Sequence, residues 1–351
     1  MRTESRCCRS GTSFGRNRRT QHNRHKCCGG ASISGSGEPQ LGKLEAEFCV
    51  HGREANRSNK ERQQPTTPPS GQGCASKCAS RQRHTPKPGG RLIEKEIAVR
   101  TSDGTADGIF FTPEGRGPWP GVLFLTDIGG IRESQNEIAR RVAGEGYAVL
   151  MPNLFYRTSR PPVLGMPFNP KDEKFTKRLS ELASPLTPDA VERDATAYVD
   201  FLGSRPGVKN GPMGTFGLCF SGAVALRTAA ACPDRMGAAA SFHGGRLYTD
   251  APTSPHLLLP RIKARLYFGH AVNDASMPVE AIEKFEIALK SWSGKFESEM
   301  YDGAHGWTVR DHPAYNRAQA ERAFSKLKQV LAAALSRLCT SEREFCSRWI
   351  R

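Results

Sequence analysis

A chain of 351 residues, 37% hydrophobic and 25% charged, carries enough apolar material for one large core, and none of its apolar runs approaches the ~20 residues of a membrane-spanning helix. Its formal charge of +16 is unevenly placed: residues 1–90 hold 17 Lys+Arg against 6 Asp+Glu, about +11 of the total, so the remainder is only mildly basic. Seven of the eleven cysteines (Cys7, Cys8, Cys27, Cys28, Cys49, Cys74 and Cys78) share that first quarter, which excludes a disulfide scaffold for the rest, where Cys219, Cys232, Cys339 and Cys346 remain.

Residues 1–90 are rich in Arg, Ser, Gly, Gln, Asn and Pro and nearly devoid of hydrophobic periodicity, so a disordered basic extension is expected. Three functional readings compete there. A transit peptide fits the composition but lacks an amphipathic helix. A nucleic-acid-binding tail has Arg16, Arg18, Arg19, Arg24 and Lys26 for phosphates, yet only Phe14 and Phe48 to stack on bases. A metal site at Cys74, Cys78 and His84 lacks the paired C-x-x-C spacing of a zinc module. The plainest reading places the segment outside the working protein. After Met1 the next Met is Met151, so a start near Leu92 or Val99 would use a non-ATG codon. No apolar stretch with a cleavage site follows the N-terminal arginines, and a cytoplasmic location is expected.

From Leu92 the pattern becomes that of alternating strands and helices. Two β-like runs, Ile93 to Val99 and Gly108 to Phe111, joined by Ser102-Asp103-Gly104, predict a hairpin. The continuous apolar runs beginning at Gly121 and at Gly146 suit strands buried on both faces of a parallel sheet. Between them, Asp127-Ile128-Gly129-Gly130-Ile131 forms a glycine-rich strand end before a helix with Ile138, Val142 and Ala143 at helical spacing. Asn153 to Pro170 and the charged segment Lys171 to Glu181 read as an insertion that rims or lids a pocket. A helix over 188–203 leads to the strand before Cys219, and strands are expected at 238–243, 264–270 and 296–301. A final helix is expected over 314–338.

The chain is organised around Gly214-Thr215-Phe216-Gly217-Leu218-Cys219-Phe220-Ser221-Gly222: strand, nucleophile, helix. The turn is so sharp that its flanks must be small, which Gly217, Ser221 and Gly222 supply. It also puts the Phe220 N–H at a helix N-terminus, where it can donate to an oxyanion and where a thiolate is favoured. Two later loops follow strands: Gly269 to Pro278, with Asp274, and Tyr301 to Trp307, with His305. A thiol needs a base to ionise near neutral pH, and the base needs a carboxylate to fix its tautomer. Cys219, Asp274 and His305 stand in the chain order nucleophile, acid, histidine. Each has a blander account. Cys219 is a small buried residue, His305 a surface histidine, Asp274 a helix cap, and His270 and His243 are rival bases at other strand ends. The conjunction carries the hypothesis.

These residues resemble the dienelactone hydrolase (carboxymethylenebutenolidase) family over about residues 91–336. The family's elbow G-x-C-x-G-G corresponds to Gly217, Leu218, Cys219, Phe220, Ser221 and Gly222, with one Gly replaced by Ser. Thr126 to Ile131 is similar to its Q-E-I-F-G-V, the Asp274 loop to its G-x-x-D-x-x-V-P, and Ala304 to Trp307 to its G-H-S/G-F. The resemblance implies an α/β-hydrolase fold with a mostly parallel central sheet and helices on both faces, over residues 91–338, followed by a short tail at 339–351. It implies opening of an enol-lactone through a cysteinyl acyl-enzyme. Cys219 attacks, His305 is general base, Asp274 orients it, and the N–H groups of Phe220 and Ile128 hold the oxyanion. Asp127 stands for the family Glu that controls ionisation of the Cys. Arg310 and Arg178 are the candidates for holding a substrate carboxylate. It implies no metal, no cofactor and a monomer acting on a small-molecule ester, with neither membrane nor nucleic acid as partner. A general esterase or thioesterase of the same fold is the nearer alternative. An inert fold acting through its basic tail on an anionic partner is the more distant one, and deleting residues 1–90 distinguishes it.

Overall fold

The hairpin opens the domain: β1 (Leu92–Thr101) and β2 (Gly104–Pro113) pair antiparallel in a register that closes at Thr101 opposite Gly104. Gly104 has φ +142°, a conformation an L side chain rarely adopts, which is why the tight connection falls on glycine. The structure, a computed structural model, describes residues 90–165 and 172–335, all within the unit Ala79–Arg351. The expectations for residues 1–89, including the cysteine pairs, for 166–171 of the insertion, and for 336–351 lie outside the described residues.

Six further strands complete one eight-stranded sheet: β3 (Gly121–Leu125), β4 (Ala148–Pro152), β5 (Met213–Leu218), β6 (Met236–Phe242), β7 (Arg265–Ala271) and β8 (Phe296–Tyr301). The spatial order is β1-β2-β4-β3-β5-β6-β7-β8. Only the β1–β2 and β2–β4 pairs are antiparallel, and every pair from β4 to β8 is parallel. Parallel neighbours need crossovers, and here these carry α1 (Glu133–Gly144), α3 (Pro188–Gly203), α4 (Ser221–Ala231) and α5 (Val279–Trp292), with a short 3-10 helix (Pro255–Arg261) between β6 and β7, while α6 (Arg317–Leu335) closes the chain. Because side chains alternate across a strand, each strand feeds both cores. Leu123 and Leu125 pack on one face with Tyr198 of α3, Leu226 of α4 and Phe285 of α5. Val122 and Phe124 pack on the other with Val142 of α1 and Leu327 of α6.

Two elements depart from the sequence expectation. The charged segment after residue 171 holds the helix α2 (Glu173–Ala183), started by Asp172, whose side chain accepts from the Lys174 N–H. Of its residues only Leu182 is fully buried, so its periodicity is faint in a run read as polar. The last helix starts at Arg317 rather than 314, because the Asn316 side chain accepts from the Gln319 N–H and caps it there. No described helix is long and apolar enough to cross a membrane.

Candidate active site

β5 ends at Leu218 and α4 begins at Ser221, leaving Cys219 and Phe220 to turn the chain. Cys219 takes φ +61°, a left-handed conformation that costs a non-glycine residue on the order of 1–2 kcal/mol. The turn closes tightly: a Cβ on Gly217 would lie 2.0 Å from the Ser221 carbonyl oxygen, and one on Gly222 would lie 2.1 Å from Ser241 Oγ. Ser221, which replaces a family glycine, uses its hydroxyl. It accepts from the Leu218 N–H at 2.9 Å and lies 2.7 Å from the Leu125 carbonyl, joining the ends of β5 and β3. Cys219 is half-buried and carries a free thiol.

The Asp274 and His305 loops follow β7 and β8, next to each other in the sheet, so both side chains arrive at the strand ends where Cys219 sits. His305 Nδ1 lies 2.7 Å from Asp274 Oδ2, while Asp274 Oδ1 accepts from the N–H and the hydroxyl of Ser276 at 2.8 and 2.6 Å. Burial disfavours the Asp274 charge, but these donors outweigh it and hold the carboxyl below its usual value. Burial likewise disfavours a charged His305. The hydrogen bonds to Asp274 and to the Cys219 side chain outweigh that, and the imidazole is pushed up to about 10. At neutral pH His305 therefore stands as imidazolium. Among the described residues, the N–H groups of Phe220 and Ile128 donate to no protein group, which leaves two backbone donors at the ends of β5 and β3.

The Asp127 carboxylate is engaged by three neighbouring residues. Its oxygens accept from Arg132 at 2.6 and 2.8 Å, from Gln135 at 3.1 Å and from the Gly129 N–H at 2.9 Å. Arg132 also binds both oxygens of Asp311, at 2.8 and 3.0 Å. This cluster, with Asp127 buried and Asp311 at the surface, ties the loop after β3 to the segment that follows His305. Nothing in the sequence announced it, because Arg132 and Asp311 are 179 residues apart. Ser276 was likewise overlooked, although an Asp with a Ser two residues later is a familiar self-bonding turn.

The two arginines expected to hold a carboxylate are each paired with a glutamate. Arg310 is 70% exposed and pairs with Glu137. It lines a cavity of about 410 Å³ that includes Phe216 and Thr308 but none of those three residues. Arg178 donates to the Val163 carbonyl and pairs with Glu181 on its own helix. The rival histidines have other places. His270 is buried on β7 against Phe268 and Phe285, and burial pushes it down to about 4. His243 lies beneath Cys219, with both ring nitrogens engaged. Among the described residues no group of three or more His, Cys, Asp or Glu is arranged to hold a metal ion.

A mostly parallel sheet with a tight strand-to-helix turn after β5 and an Asp–His pair after β7 and β8 defines an α/β-hydrolase fold. The sequence pattern of the dienelactone hydrolase family matches residues 106–335, and the chain belongs to that family of hydrolases acting on small-molecule substrates. It is 27% identical over 232 residues to a Synechocystis protein provisionally named carboxymethylenebutenolidase, covering 65% of this chain and 92% of that protein. It is 27% identical over 199 residues to the carboxymethylenebutenolidase of Rhodococcus opacus, covering 55% of this chain and 73% of that one. A crystal structure from Klebsiella pneumoniae, provisionally titled a dienelactone hydrolase, shares the fold with a TM-score of 0.62. Its sequence identity is 20%, over 71% of this chain and all of that one.

Proposed function

We propose that the protein is a carboxylic ester hydrolase that opens an enol-lactone of the dienelactone type through a cysteinyl acyl-enzyme. The observation that carries this reading is the Asp274–His305 pair at 2.7 Å beside a half-buried Cys219 held at φ +61°. The Cys219 thiolate attacks the carbonyl carbon, and the π electrons move to oxygen, which accepts from the N–H groups of Phe220 and Ile128. When the tetrahedral intermediate collapses, the C–O bond breaks and the leaving oxygen takes the His305 proton. In a lactone that oxygen stays attached through the carbon chain, and as an enol it tautomerises to a ketone. Neutral His305, held by Asp274, then removes a proton from water. The hydroxide attacks the thioester, and expulsion of the thiolate leaves His305 protonated and Cys219 free for the next turnover. Water and ester become acid and alcohol.

A second reading, an esterase or thioesterase for substrates without a carboxylate, draws support from one observation. Arg178 and Arg310 are paired elsewhere and leave the expected carboxylate clamp unbuilt. Rates for a dienelactone and for a neutral aryl ester, measured on the full chain beside Cys219→Ala and Cys219→Ser, test both readings. A drop of roughly 10³-fold or more in Cys219→Ala is expected. Equal rates in all three proteins would make Cys219 structural. Turnover of the neutral ester alone would select the second reading. A cytoplasmic, monomeric enzyme with residues 91–338 as its catalytic domain completes the proposal.

A further inference from the structure

His243 is a buried ionisable side chain that the reaction above does not use. It follows β6 with φ +41°, and its own N–H donates to the Gly269 carbonyl at 2.7 Å, which anchors it to the end of β7. Its Nδ1 lies 3.0 Å from the backbone N of Cys219 and accepts that N–H, which is shared with the Phe242 carbonyl at 3.2 Å. With Nδ1 accepting, Nε2 carries the proton and donates to Thr308 Oγ1 at 2.7 Å. Thr308 lies three residues beyond His305. The imidazole also packs edge-on against His305 and Trp307, with ring centroids 5.1 and 4.9 Å apart.

The geometry points to His243 as a positioning residue that sets the distance between the nucleophile and its proton partner by bonding to the elbow at one nitrogen and to the histidine loop at the other. A leucine of similar bulk would fill the space but make neither bond. The elbow would then lose an acceptor for an amide held in a strained conformation, and Thr308 would lose its donor. His243 stays neutral in this role. Burial, and then the charges of His305 and His312, push it well below its usual value, so Nδ1 remains an acceptor facing an N–H. This inference rests on the reading of Cys219 and His305 as nucleophile and proton carrier.

The test compares His243→Leu, His243→Asn and Thr308→Val with the wild-type full chain. It measures kcat and KM on an aryl ester, the pH profile of Cys219 alkylation by iodoacetamide, and the fraction folded. Asparagine returns an acceptor near the Nδ1 position. The expected results are a loss of about 30–100-fold in kcat for His243→Leu with KM changed less than threefold, and a smaller loss for Thr308→Val. His243→Asn should recover at least part of the lost kcat, and the alkylation profile should move to higher pH in the leucine variant. A kcat per folded molecule within threefold of wild type in both His243→Leu and Thr308→Val would overturn the inference, as would an asparagine variant no better than leucine. If ester hydrolysis proves independent of Cys219, the reading of the site fails by itself. The alkylation profile, which needs no ester, then decides the role of His243.

Discussion

Both carboxylate oxygens of Asp127 are held by the terminal nitrogens of Arg132, at 2.6 and 2.8 Å, in a pair where each side chain is less than one-eighth exposed or close to it. The pair brackets Ile128, with Asp127 before it and Arg132 four residues after, so it fixes the path of the backbone donor proposed for the oxyanion. Removing one partner leaves the other charge buried. Arg132→Gln leaves Asp127 with neutral donors alone and should destabilise the protein by roughly 3 kcal/mol; Asp127→Asn, which leaves Arg132 its Asp311 partner, should cost less, and the double variant less than the sum. A denaturant-based double-mutant cycle checks this, and additive losses would show that the two do not act as a unit.

Ser221 departs from the family glycine and gains a structural task. Its hydroxyl serves the Leu218 N–H and the Leu125 carbonyl, both buried. Ser221→Ala should cost about 2 kcal/mol by leaving these groups short of a partner. The transition midpoint in urea, read with an unchanged slope, gives the value.

Gly217 is required for a steric reason, since its Cβ would fall 2.0 Å from a backbone oxygen that cannot move without opening the elbow. Gly217→Ala should destabilise by about 1–3 kcal/mol or more, and the folded fraction should show slowed Cys219 alkylation. Unchanged alkylation in a fully stable variant would contradict the tight turn.

The pH dependence of stability follows from His305. An unfolded histidine loses its proton near 6.5, whereas the folded one keeps it to about 10. The folded state thus holds the extra proton between those values, so this contribution is complete below about 6.5 and is lost as pH rises toward about 10. Asp274, shifted down, contributes above its unfolded value and loses that contribution in acid. The stability difference between wild type and His305→Gln should therefore shrink from pH 6.5 to 10. Urea midpoints at four pH values measure it.

The fold was legible because burial on both faces turns β3 and β4 into continuous apolar runs and fills β5 and β6 with small and apolar residues. The residues now seen together, Cys219, Asp274 and His305, were legible because each closes its own strand and because the elbow demands small flanks. What escaped is what depends on side chains meeting across the sequence. The two arginines were chosen for their chemistry and order, but Arg310 finds Glu137 on α1 and Arg178 finds Glu181. Arg132, which does bind at the loop after β3, looked like any charge opening a helix. His243 was visible as a histidine at a strand end, but its two hydrogen bonds depend on the register that brings β6 beside β5.

The proposed mechanism requires a covalent bond between Cys219 and the acyl group of an ester. The most direct measurement mixes the full chain with an aryl ester, quenches it in acid within milliseconds to seconds, and weighs the peptide that carries Cys219. A peptide heavier by the mass of the acyl group less one hydrogen is expected, appearing before steady state and absent from Cys219→Ala. Hydrolysis that proceeds with no acyl adduct on Cys219 at any quench time, and at an undiminished rate in Cys219→Ala, would contradict it.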